Sequence, residues 1–257
     1  NFVSGESEAK AVFDIAKPAD YPGLAINLQA EVKNVDAEAL PGFYPVGIMP
    51  SGLTEWLNNG VRQGHVDSGE FIFRGYSPEF PFREGDGVMQ ASFKVQGLEL
   101  DYSPGWPMVT EADADVVITG KGLTVAGEGK FDGAPLSNFA LDIPDYREGR
   151  LLLNGELETT GQAVRKFARS GPLSKTLGSY FDDLILEGPV RLKLKPIVDL
   201  KNTDKSSIDG IAYLKGARVK ITPANVDLHK VVGELPFDGK GLKTSSLQAQ
   251  IYGRPLK

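Results

Sequence analysis

The sequence predicts a mainly β protein, a long antiparallel meander, and three observations carry that expectation. Apolar and polar residues alternate with period two in run after run, which puts one set of side chains on one face of a strand. Glycine and proline are abundant, 30 and 17 of 257 residues, a surplus that signals many turns between short strands. Helical spacing is confined to three short stretches, so a large amount of apolar strand surface has little helix to cover it.

In chain order, the leading strands occupy residues 1–40, with Leu24, Ile26, Leu28, Ala30 and Val32 alternating against Asn27, Gln29, Glu31 and Lys33. A first helix is expected over 51–59: Pro50 stands at its start, Leu53, Trp56 and Leu57 share a face, and Gly60 stops it. Strand alternation then returns at Phe71 and Phe73, Phe93 and Val95, Val116 and Ile118, and Leu123 and Val125. It continues at Phe139, Leu141 and Ile143, and at Leu151, Leu153 and Leu157. A second helix is expected over 162–169, with Val164, Phe167 and Ala168 on one face. After the break at Ser170-Gly171-Pro172 a third is expected over 172–183, with Leu173, Leu177 and Phe181 spaced by four. Val190, Leu192 and Leu194, opposed by Arg191, Lys193 and Lys195, and then Val219 and Ile221 close the series. Gly120-Lys121-Gly122, Asp132-Gly133 and Asp238-Gly239-Lys240-Gly241 supply turns.

A tandem repeat of about 120 residues organises these elements. Trp56-Leu57-Asn58-Asn59 through Gly64 and Val66 lies over Tyr180-Phe181-Asp182-Asp183 through Gly188 and Val190. Thr119-Gly120-Lys121-Gly122-Leu123 lies over Asp238-Gly239-Lys240-Gly241-Leu242, and Gly133-Ala134-Pro135-Leu136 over Gly253-Arg254-Pro255-Leu256. The expected division is therefore leading strands to 40, a first module over 41–160 and a second over 161–257. Both ends read as cut, as in a segment of a longer protein.

Composition excludes several functions. A formal charge of −6, from 28 Lys+Arg against 34 Asp+Glu, offers no basic face for nucleic acid. No apolar run approaches the ~18 residues of a membrane helix. With no cysteine there is no disulfide, thiolate nucleophile or cysteine metal site. His65 and His229 have no His, Asp or Glu at metal-ligand spacing on a shared element, so no metal and no cofactor is expected. The nucleophile elbow, the phosphate loop and the His-Glu-x-x-His helix are all missing. Gly127-Glu128-Gly129-Lys130-Phe131-Asp132-Gly133 is one residue too long for a dinucleotide fingerprint and reads as a strand end with a hairpin turn. Asp113 and Asp115 could pair as hydrolase carboxylates, but they read as the wet face opposite Ala112, Ala114 and Val116. Asp182-Asp183 reads as the solvated end of an amphipathic helix, residues 199–209 as a polar loop without calcium spacing, and residues 102–107 as a rigid turn with aromatic packing.

Period two leaves two architectures open: a closed sandwich or barrel whose apolar faces pack together, or a trough whose apolar lining is only partly filled. Two function classes follow from these, a trough that accepts a greasy ligand and a structural module with a fully packed core; an enzyme acting on lipid or glycan, with converging polar groups inside the trough, is the third alternative.

Several multi-residue signatures resemble the YhdP family of AsmA-like proteins. They are Phe43-Tyr44-Pro45-Val46-Gly47-Ile48-Met49-Pro50, the helix through Trp56-Leu57, Gly64-His65-Val66-Asp67-Ser68-Gly69 and Phe80-Pro81-Phe82. Further along come Leu98-Glu99-Leu100-Asp101-Tyr102-Ser103-Pro104-Gly105-Trp106-Pro107 and Gly233-Glu234-Leu235-Pro236-Phe237-Asp238-Gly239-Lys240-Gly241-Leu242. They occur in family order from about Ala39 to Lys257. The resemblance implies an elongated, curved antiparallel sheet forming an apolar groove, with a few short amphipathic helices. It also implies a bridge-type, non-enzymatic conduit for phospholipid, sited in the periplasm and tethered to the bacterial inner membrane by an anchor outside this chain. Its expected partners are phospholipid acyl chains and neighbouring repeats of the same longer chain. The expected lining is Ile26, Leu28, Phe71, Phe73, Phe93, Val95, Val116, Ile118, Leu141, Ile143, Leu151, Leu153, Leu192, Leu194, Val219 and Ile221.

Overall fold

The computed structural model of the protein describes residues 2–4, 7–43, 51–170, 178–202, 205–238, 241–242 and 247–256. It is mainly β, 65% strand against 13% helix, so helices can cover only a minor part of the sheet surface. Among the described residues no helix is long and apolar enough to cross a membrane.

The chain divides into two compact units. The first takes in residues 1–103, 108–130 and 140–151; the second takes in 104–107, 131–139 and 152–257. In the first, β1 (Phe2–Ser4), β2 (Ser7–Ala16), β3 (Ala25–Asp36), β4 (Val61–Tyr76), β5 (Val88–Leu100), β6 (Val109–Thr119) and most of β7 (Leu123–Phe131) follow one another as sheet neighbours. Each pairing from β1 to β6 is antiparallel. Helix α1 (Ser51–Gly60) leads into β4, and a 3-10 turn, Ala37–Phe43, packs on β3 and β4. Strands β8 (Ala134–Ile143) and β9 (Arg150–Thr160) contribute to both units.

In the second unit the order is β8, β9, β11 (Pro189–Asp199), β12 (Ser207–Ile221), β13 (Val226–Asp238), β15 (Gln248–Ile251) and β16 (Arg254–Leu256). Two short strands lie alongside, β10 (Leu184–Glu187) on β12 and β14 (Gly241–Leu242) on β13. Helix α2 (Gly161–Ser170) packs on β10. Among the described residues neither run of strands closes on itself into a barrel.

The matched landmarks of the repeat share local geometry. Asp132-Gly133 and Tyr252-Gly253 each carry two consecutive positive φ values, 51° and 75° in the first and 49° and 76° in the second. That is the twist a two-residue hairpin needs to join right-handed strands, and glycine bears it without a Cβ clash. In Thr119–Gly122 the Thr119 hydroxyl accepts from Gly122 N at 3.0 Å; in the partner turn Asp238 Oδ1 accepts from Gly241 N, also at 3.0 Å. Val66 and Val190 are both buried strand residues.

The third helix needs correction. Residues 172–177 lie outside the described residues, as do residues 44–50 of the first signature and Gly239-Lys240. Gly178–Phe181 is a 3-10 turn, not the last turns of an α-helix. The sheet explains this: Asp183 O accepts from Thr222 N at 2.9 Å, and from Leu184 onward the backbone pairs with β12. Asp182-Asp183 is thus the entry to a strand rather than the end of a helix. The expected module division at 160/161 falls at the junction of β9 and α2.

Candidate functional site

Directly opposed residues of an antiparallel pair share a face, so the registers of the first unit can be read as rows across β2 to β6. One row runs Phe13, Leu28, Phe73, Met89. The next runs Ala11, Ala30, Phe71, Ala91, Ile118, and then Ala9, Val32, Gly69, Phe93, Val116. A fourth runs Val35, Val66, Val95, Ala114, and at the opposite margin Ile15, Ile26 and Gly75 align. No charged or polar side chain stands in these rows. The reverse face carries the charge, in rows such as Lys10, Glu31, Glu70, Ser92 and Asp14, Asn27, Arg74. Asp113 and Asp115 are exposed on this wet side, as expected.

Eight expected lining residues come together here: Ile26, Leu28, Phe71, Phe73, Phe93, Val95, Val116 and Ile118. All eight are half-buried rather than sealed. Burial fades toward the β2 edge, where Phe13 is 68% and Ile15 53% exposed, and is complete at one end, where Val35 is 1% exposed. Gly69 is part of the surface's shape. A Cβ there would meet the Phe93 ring at 2.6 Å and Val32 at 2.7 Å, so its hydrogen lets Phe93 lie down on the sheet.

The other end of the face holds residues the period-two reading missed. Phe82, only 4% exposed, has its ring over Gly75 and Gly87. It meets Phe73 edge-on at 5.2 Å and Phe80 at 5.9 Å, while Phe80 stacks on Phe73 at 6.0 Å. Both belong to the β4–β5 connection, where strand alternation gives no signal.

The remaining expected residues are distributed differently. Leu141, Ile143 and Leu151 lie on the parts of β8 and β9 that belong to the first unit, with Ile143 buried. Leu153 is a half-buried residue of the second unit. Leu192 is buried in that unit's core with Leu157, Leu186, Val190, Ala212, Leu214, Ala217, Val231 and Ala249, and Leu194 and Val219 pack against it. Ile221, paired with Leu184 and Val226, is 37% exposed. Helix α2 helps seal this core through Val164. Its Phe167 meets Phe131 at 5.8 Å and Trp106 at 5.9 Å, the aromatic packing expected of the 102–107 turn. A depression of about 510 Å³ in this unit is lined by Lys193, Lys195, Asp209 and Asp238 together with Ile211, Tyr213, Pro236 and Phe237, a mixed surface.

Titratable groups sit in supporting roles. The Arg83 guanidinium grips Asp145 with two hydrogen bonds, one of them 2.9 Å, and holds its carboxyl down at about 2. Arg218 does the same for Asp227, lowering its pKa. Backbone donors of Asn202 and Lys201 lower Asp199, and burial raises Tyr102 and Tyr146. The histidine reading needs one correction: Asp227, two residues before His229 on β13, lies 3.4 Å from it, because i and i+2 share a strand face. His65 lies 2.8 Å from Asp36. Each is a pair, and no group of three potential metal ligands occurs among the described residues.

An unclosed antiparallel sheet with an uncharged apolar face left partly open to solvent places this chain among β proteins that present, rather than bury, an apolar surface. It belongs to the YhdP family, whose model, described as YhdP protein, matches residues 9–257. The chain is 25% identical over 250 residues to the intermembrane phospholipid transporter YhdP of Escherichia coli strain K12. That alignment covers 96% of this chain and 20% of the relative, so the chain spans about a fifth of that protein's length. No solved structure matches.

Proposed function

We propose that this chain is a non-enzymatic conduit segment of a longer, periplasm-spanning protein, moving phospholipid between inner and outer membranes along a hydrophobic β-groove. The observation that carries the reading is the set of uncharged rows across β2 to β6, left half-exposed where an ordinary core would be sealed. Exposing an alkyl chain of about a dozen methylenes to water costs roughly 10 kcal/mol at ~0.8 kcal/mol each. An apolar surface along the route removes most of that barrier without making or breaking a bond, while headgroups stay hydrated. A conduit must hold its passenger weakly and uniformly, and the interchangeable Leu, Val, Ile and Phe of the rows suit that requirement. The name of the Escherichia coli relative supports phospholipid as the cargo. The full-length protein is tethered to the inner membrane by an anchor outside this chain, and neighbouring repeats of the same longer chain are its partners.

Organic extraction of the purified chain followed by mass spectrometry tests the reading. Stoichiometric phospholipid is expected. A well-folded sample without lipid, together with no lipid adduct at a photo-crosslinking residue in place of Phe93, would refute it. The sealed core of the second unit favours a second reading, a structural module, for that part of the chain; there, crosslinkers at Leu192 would capture neighbouring protein and no lipid.

A further inference from the structure

The β4–β5 connection is built more firmly than a hairpin of this length requires, and it bends over the apolar rows instead of away from them. Phe82 takes a left-handed backbone, φ 58°, which a bulky residue adopts only when its surroundings enforce it. Its ring occupies a seat left by two glycines: a Cβ at Gly75 or Gly87 would collide with it at 2.5 and 2.4 Å.

Ties hold the connection from both sides. On one, Ser77 N donates to Leu24 O at 2.8 Å, Leu24 N donates to Ser77 Oγ at 3.0 Å, and the Tyr21 hydroxyl donates to Glu79. On the other, Arg83 grips Asp145 with both guanidinium arms, and Lys121 Nζ donates to Arg83 O at 2.9 Å. All of these groups belong to the first unit. What the ties present is Phe80, stacked on Phe73 yet 47% exposed. A loop whose only task was to turn the chain would have no use for a large aromatic held half in water above an apolar face.

We infer that Phe80 and Phe82 form a fixed aromatic rim at this end of the face: Phe80 touches the alkyl chain of a bound phospholipid, and the Arg83–Asp145 pair holds it there. The inference rests on the conduit reading. Phe82 is the footing, spent on packing, and Phe80 continues the apolar surface off the sheet. Rigid rings with few rotatable bonds lose little entropy on contact, so they add apolar surface without forming a deep trap.

The test is site-specific photo-crosslinking in the full-length protein in its own cells, with the probe at Phe80, Phe93 or the outward-facing Gln29, and lipid adducts read by mass spectrometry. Phe80 and Phe93 should label comparably and Gln29 at least tenfold less. In an Asp145→Asn background, labelling at Phe80 should fall several-fold while labelling at Phe93 persists, which also reports that the sheet is intact. Arg83→Gln provides the same comparison should the first variant fail to fold. Adducts at Phe93 without any at Phe80 would overturn the rim and leave the conduit reading standing. Adducts at neither would overturn both. Equal labelling at Phe80 with and without the ion pair would overturn the holding role.

Discussion

The two units use the same alternation for opposite ends. In the second, the apolar sides of β10 to β13 and β15, with the end of β9, meet Val164 of α2 and one another, and a sealed core results in which Leu214, Ala217 and Val231 are nearly or wholly inaccessible. In the first, the rows on β2 to β6 are likewise apolar and uncharged, yet most of their large side chains stop at half-burial. The difference teaches that an apolar strand face is a precondition for a core and not a core itself. What decides is whether another element arrives to cover it.

The comparison can be broken by substitution. Leu214→Ala should destabilise the chain by about 2–5 kcal/mol, the range for a methylene-rich side chain in a filled interior. Leu28→Ala, half-exposed already, should cost well under half of that; equal shifts in denaturant midpoint would mean the two faces are equally packed. Phe93→Glu should strip most co-purifying phospholipid and disable transport in the full-length protein while leaving the circular dichroism of the strands intact. Loss of folding in that variant would return Phe93 to ordinary core.

Acid sharpens the contrast more gently. Asp145 in the folded chain stays ionised down to about 2 because Arg83 holds it, against a usual 3.8. A lowered carboxyl pKa contributes stability that is present above the unfolded value and lost as pH falls toward the folded one. The stability advantage of the native chain over Asp145→Asn should therefore be full above pH 4 and vanish between 4 and 2. Urea titrations across that window check it, and a constant difference would mean that the pair contributes nothing. The smallest effect belongs to the wet face, where Glu31 and Glu70 oppose each other directly. Like charges so placed repel, and Glu70→Lys should stabilise by about 0.2–1 kcal/mol at low salt, fading as salt is added.

Much of the apolar face was legible beforehand. Residues such as Leu28, Phe71, Phe93 and Val116 alternate with polar neighbours, and period two requires that they share a face. Phe80 and Phe82 were not legible as part of that face, because they sit in a connection whose path is set by contacts with Leu24 and Asp145 far off in sequence. The described end of the third expected helix, Gly178–Phe181, departs from expectation for a related reason. Four-residue apolar spacing around Leu177 and Phe181 is a local preference, and hydrogen bonds to β12 outweighed it from Asp183 onward.

The sequence by itself determined the strands, their turns and the separation of greasy from charged faces, since all of these follow from near-neighbour geometry along one chain. Only the tertiary structure decided which greasy face would be sealed and which left open. Leu192 and Phe93 are equivalent as letters in an alternating run. One lies in a core closed with the help of α2, the other on rows that no described element fully seals, and that distinction is made by residues tens of positions away.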